Sequence, residues 1–146
     1  MQLSNERSKF EINILGYEFP NSMDKHDANW LSVRLTAAND CLSWGAVDSC
    51  LRTFELVKLR DWFESLISGR PTIENLYFTE NELGFSFNND NEVLVKLDFE
   101  FHPKSKNYNY DVDEEYVLNF KLDEVNINDF LNSLSKSIEK FPEKGF

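Results

Sequence analysis

The sequence predicts an α+β fold in which an antiparallel β-sheet of about six or seven strands carries two packed helices. Three observations point there. Several segments place apolar residues at every second position, while two longer ones place them at helical spacing. The segments run strands, helix, strands, helix, without the strict alternation that a parallel sheet requires. Thirteen Phe, five Tyr and three Trp make the chain 14% aromatic, a composition suited to strands and large buried side chains.

In KFEINILGYEFP, Phe10, Ile12 and Ile14 share one face and Glu11 and Asn13 the other, a strand ending near Gly16. Residues 21–27, NSMDKHD, are polar and turn-rich. NWLSVRL sets Leu31, Val33 and Leu35 against Trp30, Ser32 and Arg34. After the turn TAAND, residues 41–54, CLSWGAVDSCLRTF, read as a long strand bulged near Gly45, so that three strands form a meander. Leu56, Leu59, Phe63, Leu66 and Ile67 then fall on one helical stripe. Thr53 is its N-cap, Trp62 covers its edge, and Gly69 with Pro71 ends it.

NLYFT, LGFSFN and EVLVKLDFEF follow as strands. In the last, Val93, Val95, Leu97, Phe99 and Phe101 make the inward face; Leu94, Lys96, Asp98 and Glu100 make the other. NNDN at 88–91 marks a hairpin turn. HPKSKNYNYDVDEE is too polar for a core element. YVLNFKL directs Tyr116, Leu118, Phe120 and Leu122 inward. The last helix starts after Asn126, an N-cap with Asp129 at the third helical position. It buries Ile127, Phe130, Leu131, Leu134, Ile138 and Phe141 and stops at Pro142.

Residues 74–80, ENLYFTE, begin like the recognition sequence of a plant-virus protease used to remove tags. That sequence continues with Gln and a small residue, where this chain has Thr79 and Glu80. The stretch lies at mid-chain, and residues 1–73 carry strong amphipathic patterns and no His run. Leu76 and Phe78 alternate with Asn75, Tyr77 and Thr79, so residues 76–79 read as a native strand with Phe78 buried.

A chain of 146 residues, 41% apolar, is expected to form one domain, residues 1–146, with a genuine core. The net charge of −11 repels phosphate backbones and anionic lipid, so the charge argues against nucleic acid and membrane as direct partners. It favours a basic protein partner, or serves solubility alone. No secretory leader and no long apolar run is present, so the expected location is cytoplasmic and the thiols of Cys41 and Cys50 are expected to be reduced.

Motifs for chemistry are sparse. The hydrolase elbow, phosphate loop, zinc-protease and dinucleotide signatures are absent, and the inventory does not support an enzyme. In MDKHDAN, Asp24, His26 and Asp27 suit a hard metal site or an acid–base pair, but Lys25 within the cluster and the lack of a fourth ligand favour a solvated loop capping a strand, and no metal or cofactor is expected. His102, before Pro103, is expected at the surface, and both cysteines, set in a strand, as small buried residues.

Binding features are denser. YNYDVDEEY at 108–116 interleaves Tyr108, Tyr110 and Tyr116 with Asp111, Asp113, Glu114 and Glu115. Tyrosines give rigid amphipathic contact area and carboxylates pair with Lys or Arg, which makes Tyr108, Tyr110, Asp111, Asp113, Glu114 and Glu115 the candidate contact residues. An acidic loop with its tyrosines tucked onto a sheet edge is the plainer alternative. TENE at 79–82 and NNDNE at 88–92 add acids and amides on loops expected nearby.

ILGYEFP at 14–20, DANWLSV at 27–33, LRTFELVKLRDWFESL at 51–66 and LYFTENELGFSF at 76–87 occur in an order that resembles the WapI-type immunity proteins. These are small cytosolic bacterial proteins encoded beside polymorphic secreted toxins. The likeness covers roughly the first 90 residues; beyond them it extends only to strand then helix. Asn81 stands where family members often carry proline after Phe-Thr-Glu, which bears on the turn there. The resemblance implies a protein that binds and blocks its cognate toxin domain, often a nuclease acting on transfer RNA. A nuclease cleft is basic, so the acidic charge agrees independently. The resemblance supplies no residue-level interface. Asp27, Asn29 and Trp30 are read as fold-maintaining, the first two tying a loop and Trp30 packing. The competing reading is a small ligand-binding or regulatory domain unrelated to toxins.

Overall fold

A computed structural model gives the fold and describes residues 1–69 and 73–145. Eight strands form two four-stranded antiparallel sheets, each a meander in chain order, and three α-helices accompany them among the described residues. The α+β class stands; the single sheet of six or seven strands with two helices is corrected. The first sheet holds β1 (Gln2–Ser4), β2 (Lys9–Tyr17), β3 (Trp30–Ala38) and β4 (Ser43–Arg52). The second holds β5 (Asn75–Leu76), β6 (Leu83–Phe87), β7 (Glu92–Leu97) and β8 (Tyr116–Lys121). The helix α2 (Thr53–Ile67) leaves directly from β4, so β5 opens a new sheet. β1, at three residues, is too short to show alternation, and the single turn α1 (Lys25–Ala28) lies in a segment read as polar turn.

Alternation holds where one face is buried along a whole strand. Leu31, Val33 and Leu35 of β3 are buried while Arg34 and Thr36 are exposed. In β4 the bulge lies elsewhere than expected. Leu31 pairs with Leu51 but Val33 with Asp48, so Ser49 and Cys50 oppose the single residue Ser32. Gly45 instead pairs regularly with Thr36, and a side chain there would stand 3.0 Å from the Leu35 carbonyl oxygen.

Leu56, Leu59, Phe63 and Leu66 of α2 are buried, with Trp62 beside them, whereas Ile67 is half exposed. Thr53 is the first helical residue and Arg52 the cap; the Glu55 carboxylate accepts the Arg52 N–H at 2.9 Å. Gly69, at φ +71, turns the chain out of the helix as a left-handed position favours. Pro71 lies outside the described residues. The stretch ENLYFTE is built into the fold, with Phe78 buried, but its strand stops at Leu76. Buried Glu55 accepts both the N–H and the hydroxyl of Thr79, at 2.6 and 2.7 Å, and so takes that residue out of any ladder.

The core is aromatic. Phe10 of β2 meets Phe85 of β6 edge-on at 5.9 Å, joining the sheets. Phe63 of α2 reaches Phe85 at 5.6 Å and Phe130 at 4.8 Å, the latter on α3 (Ile127–Lys140). The α3 start follows expectation, with Asn126 Oδ1 accepting the Asp129 N–H at 3.1 Å.

Asn29, 2% exposed, ties three parts of the chain. Its amide donates to the Lys25 and Lys144 carbonyls at 2.7 and 3.1 Å. Its oxygen accepts the Thr53 hydroxyl at 3.1 Å and the Lys144 N–H at 2.7 Å. The segment leading to Lys144 also packs on β2: the Tyr17 hydroxyl donates to the Pro142 carbonyl at 2.6 Å. Asp27 makes no such tie. Asp24 caps α1 instead, accepting the His26 and Asp27 N–H groups, whose bonds hold its carboxyl below the usual range. Trp30 is half-buried, with the Arg52 guanidinium 5.6 Å from its ring centre.

Candidate interaction surface

The connection from β7 to β8, residues 98–115, carries the predicted contact residues. It leaves the strand because Asp98 accepts the Phe99 N–H at 3.0 Å and Phe99 takes φ +49. A short 3-10 turn, Phe99–Phe101, follows. Phe99 is thereby turned off the inward face assigned to it, while Phe101 remains buried. The Tyr110 ring stacks on Phe99 at 5.6 Å and is 75% exposed; Val112 is 71% exposed. Tyr108 is half-buried, edge-on to His102 at 5.0 Å and to Tyr110 at 5.1 Å. Its hydroxyl donates to the Asp113 carbonyl at 3.2 Å. The neighbouring Asp98 carboxylate, aided by burial, pushes the Tyr108 hydroxyl up to about 12.

The four carboxylates divide. Asp111, Glu114 and Glu115 are exposed, Glu115 standing 3.9 Å from Lys96 Nζ. Asp113 turns into the loop, pairs with Lys104 and accepts the Asn109 N–H at 2.8 Å. Those two partners, Lys104 first, hold its carboxyl below the usual range. Asp113 shapes the loop; Asp111 and Glu114 face solvent, and Glu115 does so beside Lys96.

Neighbouring elements extend the surface. The Asp98 N–H donates to the Glu82 carbonyl at 2.9 Å, and the Trp44 indole donates to the Phe101 carbonyl at 2.8 Å. The Tyr116 hydroxyl accepts from the Asn39 amide in the β3–β4 turn. Asp48, Glu80, Glu82 and Glu100 gather there. Burial, then the facing Asp48 carboxyl, pushes Glu82 up to about 9. TENE thus adjoins the loop as expected, but NNDNE does not: it turns at the opposite end of β7. Sequence reasoning placed Glu80 and Glu82 there through TENE but missed Asp48, Asp98, Phe99 and Glu100. The available signal was Asp98, a capping residue type placed shortly before His-Pro.

The other candidates resolve differently. His102 is buried, its Nδ1 accepting the Lys104 N–H at 3.0 Å, which overturns its assignment to the surface. His26 Nδ1 lies 2.9 Å from Arg52 Nη2, and no group of three potential metal ligands occurs among the described residues. Both thiols are free; Cys50 is buried, but Cys41 is exposed in the β3–β4 turn because the strand starts only at Ser43.

A model of the immunity protein WapI-like family matches residues 1–142. The chain belongs to that family. The match runs well past the segments that carried the resemblance and takes in the loop, β8 and α3. No curated protein and no solved structure matches the chain. Membership in the WapI-like family implies a cognate toxin as partner. In this WapI-like chain, DANWL contributes a buried asparagine tie at Asn29, with Asp27 and Trp30 more open to solvent.

Proposed function

We propose that this chain neutralises a secreted toxin domain inside the cytoplasm by laying the surface around residues 98–115 over a basic cleft. The observation that carries this reading is the exposed Tyr110 ring, stacked on Phe99 in a loop that also exposes Asp111, Glu114 and Glu115. The ring is held before binding, so little side-chain entropy remains to be lost. The carboxylates stand where the phosphates of a nucleic-acid substrate would lie, and the net −11 speeds encounter with a cationic target. A nuclease is the toxin class that such a surface fits. The chain itself acts by occupancy and performs no reaction.

The test is co-purification with the toxin domain encoded beside this chain, followed by binding kinetics. Asp111→Lys, Glu114→Lys and Glu115→Lys together should lower the on-rate by about tenfold or more at low salt, with the difference shrinking at high salt. Asp113 is left intact because it shapes the loop. Tyr110→Ala should raise the off-rate by about tenfold or more, independent of salt. Unchanged rates in both variants would remove the loop from the interface, and a toxin that binds without salt dependence would remove the electrostatic argument.

A further inference from the structure

Among the described residues four strands stand at sheet edges, and three of them are short or partly covered. β1 and β5 run for only three and two residues. On the outer side of β8, the Asn5 amide donates to the Asn119 carbonyl at 3.1 Å and the Glu124 N–H to the Lys121 carbonyl at 3.0 Å. β4 is ten residues long, and among the described residues no hydrogen bond of this kind lies on its outer side. The Asn39 N–H donates to the Leu42 carbonyl at 2.8 Å across the turn, which sets the alternation of the β3–β4 ladder. Trp44, Ala46 and Asp48 therefore bond to β3, and Ser43, Gly45 and Val47 direct their N–H and C=O groups away from it. Among the described residues none of those outward groups has a partner within the chain. Gly45 is exposed, and a glycine can expose only backbone. Val47 is 52% exposed, and the stretch holds neither the Lys nor the Pro that commonly blunts an edge.

We propose that the outer edge of β4 accepts an extended strand of the toxin, main-chain pairing over residues 43–47 joining the aromatic and acidic surface of the loop in one interface. The inference rests on the toxin-binding reading above. The two surfaces are continuous, since the Trp44 indole bonds to Phe101 in the loop's first turn. Asp40, exposed at the head of the open stretch, and the net −11 favour a strand bearing Lys or Arg. A second copy of the chain would bring two −11 bodies together, which disfavours it as the occupant.

Amide hydrogen exchange of the chain, alone and with the toxin domain encoded beside it, tests this directly. The Ser43, Gly45 and Val47 amides should exchange freely in the unbound chain and slow by at least ~100-fold in the complex. Val47→Pro removes one outward donor without touching a bond to β3, and should weaken binding by about ten- to a hundredfold; Val47→Ala keeps the donor and should stay within about threefold of wild type. A complex in which these amides still exchange freely overturns the edge inference while leaving the toxin reading in place. So does equal affinity of the two variants when Val47→Pro is folded by circular dichroism. Slowing that follows the chain's own concentration, without toxin, assigns the edge to a second copy and overturns the proposal. Failure to form any complex removes both readings.

Discussion

Replacing Asn29 tests whether the DANWL segment serves the fold. Asn29→Ala deletes four hydrogen bonds, two to carbonyls of Lys25 and Lys144 and two from the Thr53 hydroxyl and the Lys144 N–H. Each bond contributes about 1 kcal/mol net, and a polar group left dry adds about 1–3 kcal/mol. Lys25 and Lys144 lie near enough to the surface for water to reach some of the orphaned groups, which places the expected loss at about 3–5 kcal/mol. At about 2–4 °C per kcal/mol for a chain of this size, the melting temperature should fall by about 10 °C. Asn29→Asp keeps the shape but turns an oxygen toward two carbonyls, and should do no better at neutral pH. Urea unfolding followed by tryptophan fluorescence measures both variants. A loss under about 1 kcal/mol would refute the reasoning, and weaker toxin binding at unchanged stability would make Asn29 a contact residue instead.

Other outcomes follow from single groups. Glu82 is held near 9 when folded against an ordinary 4.5, so the folded chain keeps a proton that the unfolded chain releases. That contribution is complete below about 4.5 and is lost as pH rises through about 9; Glu82→Gln should therefore gain on wild type between about pH 5 and 9, by about 1–2 kcal/mol after allowing for nearby water, and parallel pH profiles would contradict this. Cys41, exposed, should react promptly with a thiol reagent. Cys50, whose thiol burial pushes well above its usual value, should react only on unfolding; two fast thiols, or none in denaturant, would be the wrong result. The tag-removing protease should leave the folded chain uncut, since Gln is absent and Glu55 holds Thr79; cleavage after Thr79 under native conditions would count against that.

The inward faces of β2, β3, β7 and β8 and most of the stripes of α2 and α3 were legible in the sequence because burial follows each element's own period. Alternation misled at Phe99, where the period of two continues past Leu97 while Asp98 captures the next N–H and turns the chain. The division into two sheets was not legible. Nothing in Asn75–Leu76 says which edge it joins, and the answer depends on where α2 delivers the chain. At the candidate site, the density of acids and rings in 108–116 was plain. Individual roles were not, because Asp113 is settled by Lys104 and Glu82 by Asp48 on a separate sheet. Pairings of that kind are made by the fold and leave no local pattern.

The bonds that fasten the two ends of the chain also bear on its lifetime. Each sheet joins strands adjacent in sequence and can assemble from hairpins, whereas Asn5 to Asn119 and Tyr17 to Pro142 span 114 and 125 residues. Contacts that close such long loops are expected late, after the rate-limiting barrier. Groups that engage after the barrier govern escape from the native state and leave its formation untouched. Tyr17→Phe should then steepen nothing in the refolding limb of a stopped-flow chevron and lift the unfolding limb alone; slower refolding would place the fastening early. On this view the segment ending at Lys144 works as a bolt drawn last, setting how long the folded chain endures between openings.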